Sequence, residues 1–289
     1  MVTNLRPPLP SASMTLRGLL DLYTQSVTCS PRYQESLRRT VSKAQIYGLS
    51  LVCQLDPERA NDFLGKLDLA ATTKHNIRRE LLTLWRWAYE QRLTDVQPVR
   101  VKRIPPSRRV PQAWGRDALQ ALLAAAEADE TPVSLRYPAV RRQHVLTAWI
   151  AVGYETGLRL TDMLALHESQ FRGDCIVTVA HKTGKPTVRR ISEYARQRCQ
   201  WLIDRSPDGT VFGWVLPRRR AILLWRAFLK QQKTAGSSKW LRRAGATEIE
   251  KHHPGAATLW LDHSNPALCR MHYIDPTLLA PPIGPPPLR

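Results

Sequence analysis

Residues 12–97 carry apolar side chains that return every three or four positions, the period of an amphipathic helix. Leu16, Leu19, Leu20 and Tyr23 share one side of a first helix that Thr15 can cap. Ser30-Pro31 and Asp56-Pro57 both read as helix starts. A small oxygen-bearing side chain caps free N–H groups there, and proline at the first helical position has no N–H to leave unpaired. The clearest helix of this half opens at Thr72 or Thr73. Its apolar face is Ile77, Leu81, Leu84, Trp85 and Ala88, and its other face carries Lys74, Arg78, Arg79, Arg86 and Arg92. The pattern predicts a small helical bundle with a basic surface.

The period then breaks. Residues 98–111 hold four prolines, five basic residues and no acid. Proline disfavours both helix and central strand, so a stiff extended linker is expected. Beyond it the pattern is mixed. Helices are predicted over 115–128, 139–156, 193–204, 218–233 and 237–250, with Gly157 as a helix stop. The runs Trp201-Leu-Ile, Leu223-Leu-Trp225 and Trp240-Leu241 fall at helical spacing and read as core. Cys175–Ala180 alternates as a strand, residues 183–186 form a turn, and Thr187–Ile191 returns as a second strand. Residues 276–289 contain six prolines and no periodicity, which excludes a helix. The expected division is a loose arm 1–11, a helical bundle 12–97, the linker 98–111, an α+β domain 112–275 and a proline-rich tail 276–289. The fold class is mainly α with a small β-hairpin or sheet.

Composition adds one fact that changes the picture. The 289 residues include 43 Lys plus Arg against 24 Asp plus Glu, a formal charge of +19. A surplus of that size points to a polyanionic partner, with nucleic acid the commonest. No apolar run reaches the roughly 18 residues of a membrane span. Residues 1–10 have no apolar stretch resembling a secretory leader. The five cysteines are spread without a CxxC pair, so neither a disulfide framework nor a zinc ribbon is expected. His252, His253, His263, Cys269 and His272 share one segment, but no paired second half of a finger accompanies them. A soluble, cytoplasmic, nucleoid-associated protein fits.

Three places in the second half combine a basic side chain with a geometry that would fix it. Gly157-Leu-Arg159-Leu-Thr-Asp162 sets an arginine between a helix stop and the next helix, with Asp162 placed to orient it. Lys182 stands at the hairpin tip, with Lys185 as a rival for its role. Lys239-Trp-Leu-Arg242-Arg243 opens a helix with Lys239 and Arg242 one turn apart. His263 and Tyr273 follow. Taken singly, each reads as an ordinary surface or half-buried residue.

Taken in order, they resemble the tyrosine recombinase (phage integrase) family. Gly157–Asp162 looks like its first arginine box, and His181-Lys182-Thr-Gly-Lys-Pro looks like its β-hairpin lysine. Lys239–Thr247 is similar to the second box, usually His-x-Leu-Arg-His-x-x-Ala-Thr. Leu261-Asp-His-Ser264 resembles Leu-Gly-His-Ser, and Met271-His-Tyr273 the nucleophile segment. No box is specific alone; five in order are. Lys239 and Arg243 stand where the family has histidines. Asp262 stands where it has a glycine, which is expected to distort the turn before His263.

The resemblance implies that 12–97 is a DNA-binding domain and 112–275 a catalytic domain. It implies a site-specific recombinase that cuts and rejoins DNA through a 3′-phosphotyrosine, with no cofactor, metal or ATP. Tyr273 would be the nucleophile, Arg159 and Arg242 the phosphate clamp, Lys182 the general acid, and Lys239 and His263 further donors. DNA contacts are expected from Lys74, Arg78, Arg79, Arg86, Arg100, Lys102, Arg103, Arg108, Arg109, Lys185, Arg218, Arg219 and Arg243, with major-groove reading by the 74–92 and 218–233 helices. The implied partners are double-stranded DNA, further copies of the chain as a dimer or tetramer, and an accessory DNA-bending or directionality protein. A tail that docks on a neighbour would do so as an extended or polyproline segment. The competing readings are a type IB topoisomerase-like enzyme, a catalytically weakened DNA-binding relative, and, more distantly, an unrelated basic module.

Overall fold

A computed structural model describes residues 13–107, 109–133 and 140–279. The arm, Arg108 and the last ten residues of the tail lie outside them. The chain divides into two compact units with the boundary between Arg109 and Val110.

Among the described residues the first unit has four α-helices: α1 Leu16–Ser26, α2 Pro31–Ile46, α3 Pro57–Lys66 and α4 Ala71–Glu90. Three starts follow cap chemistry. Thr15 accepts from the Gly18 N–H, Ser30 from Tyr33 and Asp56 from Arg59. The fourth start departs from expectation. α4 begins at Ala71, with Ala70 as an N-cap that offers no side-chain acceptor, so neither Thr72 nor Thr73 opens it. The expected apolar positions Ile77, Leu81, Leu84, Trp85 and Ala88 are all buried, against Leu16, Leu19, Leu37, Val41 and Phe63. One polar residue joins this core. Glu80 is buried and accepts from the Ser36 hydroxyl at 2.6 Å and the Thr40 hydroxyl at 2.5 Å, both on α2.

The basic linker is irregular in backbone, and its first half is not free. The Arg78 guanidinium donates to the Lys102 carbonyl at 2.6 Å and the Val101 carbonyl at 2.9 Å. Asn61 donates to the Arg100 carbonyl and accepts from the Lys102 N–H. Val101 is buried in the first unit's core.

The second unit runs α5 Arg116–Glu127, α6 Arg142–Thr156, α7 Leu160–Leu164, β1 Phe171–Arg172, β2 Cys175–Val179, β3 Pro186–Arg190, α8 Glu193–Ile203, α9 Arg218–Gln231, α10 Lys239–His252, α11 Ala256–Trp260 and α12 Pro266–Tyr273. The strands form an antiparallel sheet in the order β1-β2-β3, with Val177 opposite Val188. α6 is the central element. Nine consecutive residues, Val145–Gly153, are buried, as befits a helix that is apolar all round and packed by α5, α8 and α10. α6 starts at Arg142, later than its apolar pattern suggests, and residues 134–139 lie outside the described chain. Of the Trp and Leu runs, Trp225, Leu202 and Leu241 are core, whereas Leu223 is exposed.

β1, α7, α11 and α12 are too short to leave a periodic signal. The tail also departs from a purely extended reading. It opens with a 3-10 turn, Pro276–Leu278, because the Asp275 carboxylate accepts from the Thr277 N–H at 3.0 Å and hydroxyl at 2.7 Å. The architecture is mainly helical with a small antiparallel sheet.

Glu80 gives a stability test for the first unit. Thr40→Val keeps the shape and removes one donor to a buried carboxylate. The expected loss is about 1–3 kcal/mol in chemical denaturation. An unchanged unfolding midpoint would refute this account of α2–α4 packing.

Candidate active site

The site starts where α6 meets α10. A Cβ on Gly245 would lie 2.3 Å from the Tyr154 carbonyl oxygen, and one on Gly153 would lie 2.8 Å from Leu241. At Gly245 the neighbour is backbone, so only glycine permits the approach; at Gly153 it is the Leu241 side chain. α6 then ends at Gly157, in the left-handed region with φ 58°. Directly beneath it, Arg242 of α10 is buried at 6 % exposure. Its guanidinium donates to the Gly157 carbonyl in a short bond and to the Leu261 carbonyl at 3.2 Å. Its Nε is buried with no hydrogen-bond partner among the described residues. Burial lowers the guanidinium pKa to about 10, with Tyr273 acting in the opposite direction, so it is charged at neutral pH.

Arg159 caps α7 by position, 4.0 Å from the Asp162 carboxylate. Asp162 is buried and also accepts from the His181 N–H at 3.0 Å. It therefore joins the arginine turn to the start of the hairpin turn.

Tyr273 is the last residue of α12, a helix absent from the sequence expectations. Asn265 caps α12 by accepting from the Leu268 N–H, and Pro266 opens it. The Tyr273 ring meets the His263 ring edge-on at 4.8 Å. The Lys239 Nζ lies 5.1 Å from the ring centroid and the Arg242 guanidinium carbon 5.0 Å. Three of the expected catalytic residues thus converge on the ring of a fourth. Burial lowers the Lys239 pKa; Tyr273 opposes that shift, and Arg243 and Arg242 add to it.

The end of α12 is anchored on both sides. Arg243 donates to the His272 carbonyl at 3.0 Å and the Gln112 carbonyl at 3.1 Å. The Asp275 N–H donates to Thr247 Oγ1 at 3.0 Å, and its carboxylate accepts from the Ala113 N–H at 2.8 Å. Thr247 and Asp275 were not picked out from sequence. Asp275-Pro276 is a cap-then-proline pair, the signal that marks that turn.

His263 follows a turn at the end of α11. Asp262 adopts φ 54° and the turn closes normally, with the His263 N–H donating to the Thr258 carbonyl at 3.0 Å. The expected distortion does not occur, because aspartate tolerates the left-handed conformation better than most residues. The Asp262 carboxylate accepts from the Thr187 hydroxyl at 3.0 Å and forms a short ion pair with Arg189. The His263 Nε2 is buried with no hydrogen-bond partner among the described residues. Burial lowers the imidazole pKa, reinforced by Arg242, Arg159 and Lys182 and partly offset by Asp262.

No protein-family model matches the chain, and no curated protein sequence does. Solved structures do match. A lambda integrase fragment, in a dimer bound to a COC′ core site, aligns over 94 % of this chain and 99 % of its own at 17 % identity and TM-score 0.70. The Tn1549 transposon integrase in complex with a circular intermediate DNA covers 90 % and 95 % at 14 % identity and TM-score 0.70. XerH site-specific recombinase bound to palindromic difH substrate covers 91 % and 82 % at 17 % identity and TM-score 0.68. This chain has the tyrosine recombinase fold.

On that fold, Lys182 sits in the exposed turn between β2 and β3. Its charge bears on His263, which distinguishes it from Lys185, exposed in the same turn. Arg79, Arg86, Arg100, Lys102, Arg103, Arg109, Arg218 and Arg219 are exposed, and Lys74 is half-buried. Two expected DNA contacts also have internal work. Arg78 holds the linker backbone and Arg243 holds the end of α12. Arg108 lies outside the described residues. Among the described residues no group of three or more His, Cys, Asp or Glu side chains is placed to hold a metal ion, and no helix is long and apolar enough to cross a membrane.

His263 supplies a pH test. Its folded pKa lies below the ordinary 6.5, so the unfolded chain takes up the proton first as pH falls. The His263 contribution to stability is full above that ordinary value and declines as pH falls through the lowered one. An NMR titration should give a His263 midpoint below 6.5; a midpoint above it would contradict the burial argument.

Proposed function

We propose that the protein is a site-specific DNA recombinase that breaks and rejoins strands through a covalent tyrosine intermediate. The observation that carries this reading is the convergence of Lys239, Arg242 and His263 on the Tyr273 ring, within a fold shared with DNA-bound integrases.

Tyr273 Oη attacks the scissile phosphorus and becomes esterified to the 3′ phosphate, while the 5′ oxygen leaves. Negative charge grows on the non-bridging oxygens as the transition state forms. Arg159 and Arg242 meet it with planar, permanently charged donors. The unpartnered Nε of Arg242 and Nε2 of His263 are polar atoms for which a phosphate oxygen is a suitable partner. Lys182 protonates the 5′ oxygen as general acid. The phenol proton has two neighbours able to take it, since burial leaves both Lys239 and His263 more readily neutral than usual. The phosphotyrosine conserves the bond energy, so rejoining to a new 5′ hydroxyl needs no ATP. The exposed arginines and lysines of both units supply phosphate contacts, and the active form is a dimer or tetramer of this chain on two DNA sites.

Covalent capture tests the reading. Protein is incubated with fragmented DNA and denatured in SDS, and the protein-linked DNA is recovered and sequenced. Wild type should yield a linked product enriched in one site, and Tyr273→Phe none. Linkage surviving in Tyr273→Phe, or binding without linkage in wild type, would overturn it. Supercoil relaxation without recombinant products would favour the topoisomerase alternative. Binding should also weaken steeply with salt, because affinity of this kind is dominated by phosphate contacts.

A further inference from the structure

Asp262, half-buried, and the buried Arg189 and Thr187 form a polar contact that none of the roles above uses. Arg189 and Thr187 are inward-facing positions of β3, at 8 % and 4 % exposure. Both donate to the Asp262 carboxylate, one residue before His263. The Arg189 guanidinium also lies 5.9 Å from the ring centroid of Trp260, the residue that ends α11. Trp260 is itself wedged between α6 and α10: a Cβ on Gly157 would lie 2.5 Å from its ring, and one on Gly245 2.7 Å. The turn carrying His263 is therefore tied to the strand that leads away from Lys182.

We propose that Asp262 is a positioning residue, which sets His263 against Tyr273 by tethering the turn that carries His263 to β3 through Arg189 and Thr187. This rests on the recombinase reading for its consequence in catalysis, but not for its geometry. Three physical facts support it. Burial lowers the Arg189 pKa and Asp262 is the main influence restoring it, so the guanidinium depends on that carboxylate. A short aspartate side chain reaches only partners adjacent to its own turn, so the tether fixes that turn closely. The left-handed φ is one a glycine would adopt freely, so the carboxylate rather than the backbone is what Asp262 adds.

The test separates positioning from stability. Four variants are compared with wild type: Asp262→Gly, Asp262→Asn, Arg189→Met and the double Asp262→Gly/Arg189→Met. Without DNA, the readouts are the unfolding midpoint and the NOE between the His263 and Tyr273 rings. With DNA, they are affinity and the single-turnover rate of covalent adduct formation. Asp262→Gly should lower the midpoint, because it leaves a buried guanidinium unpaired. It should also weaken the NOE and slow adduct formation by about 10-fold or more, with affinity changed less than about twofold. Asp262→Asn, which keeps an acceptor and tolerates the turn, should restore the NOE and most of the rate. The double variant should regain the midpoint yet keep the weak NOE and slow rate. Recovery of the NOE together with the midpoint in the double variant would make the pair merely structural and overturn the proposal, as would a wild-type NOE in Asp262→Gly. A wild type that shows the expected NOE pattern but forms no adduct would overturn the recombinase reading and leave the tether standing.

Discussion

The second unit depends on how closely α6 and α10 approach. Gly245 faces the Tyr154 carbonyl at a distance no side chain could occupy, and Gly153 packs directly against the Leu241 side chain. That contact brings the α6 C-terminus over Arg242, whose guanidinium then satisfies the Gly157 and Leu261 carbonyls. It also leaves the slot that Trp260 fills, which in turn fixes α11 and the turn to His263. Separating the two helices by the width of a methyl group would disturb all of these at once, because close-packed interiors transmit displacement.

A second constraint is electrostatic. Lys239, Arg242 and Arg243 gather around one tyrosine, Arg159 and Arg189 act on Arg242, and desolvation lowers the pKa of Lys239, Arg242, Arg243 and Arg189. Carboxylates answer some of them, among them Asp275, which acts on Arg243. Asp162 lies beside Arg159 and Asp262 pairs with Arg189. The remaining positive charge rests on carbonyl oxygens and the tyrosine ring. Folding gains little from so many half-compensated cations. A centre built this way favours an incoming anion, since a phosphate brings the acceptors that the buried N–H groups lack.

The basic residues divide along the same line. Those on open faces, such as Arg79, Arg86 and Arg219, are free to meet a phosphate backbone. Arg78 and Arg243 look equivalent to them in the sequence but hold main-chain carbonyls, one along the linker and one at the end of α12. Arginine suits both uses, because its planar fork binds carbonyls and phosphates alike.

The sequence by itself determined the elements with local causes. Periodic apolar faces produced α1, α4 and α5, cap-then-proline pairs opened α2 and α3, and alternation produced β2 and β3. The order of Arg159, Lys182, Lys239, Arg242, His263 and Tyr273 was equally legible, since it requires only spacing along the chain. Tertiary structure alone decided the rest. α12 is eight residues long, too short for its periodicity to show. The roles of Arg189, Thr187 and Thr247 arise from contacts between residues far apart in sequence, for which a linear pattern has no signal. Asp262 illustrates the difference. Read along the chain it was a flaw in a glycine turn, because its only visible property was the lack of glycine's freedom. In the fold it is the acceptor for a buried arginine 73 positions away, and that partner gives the carboxylate its place.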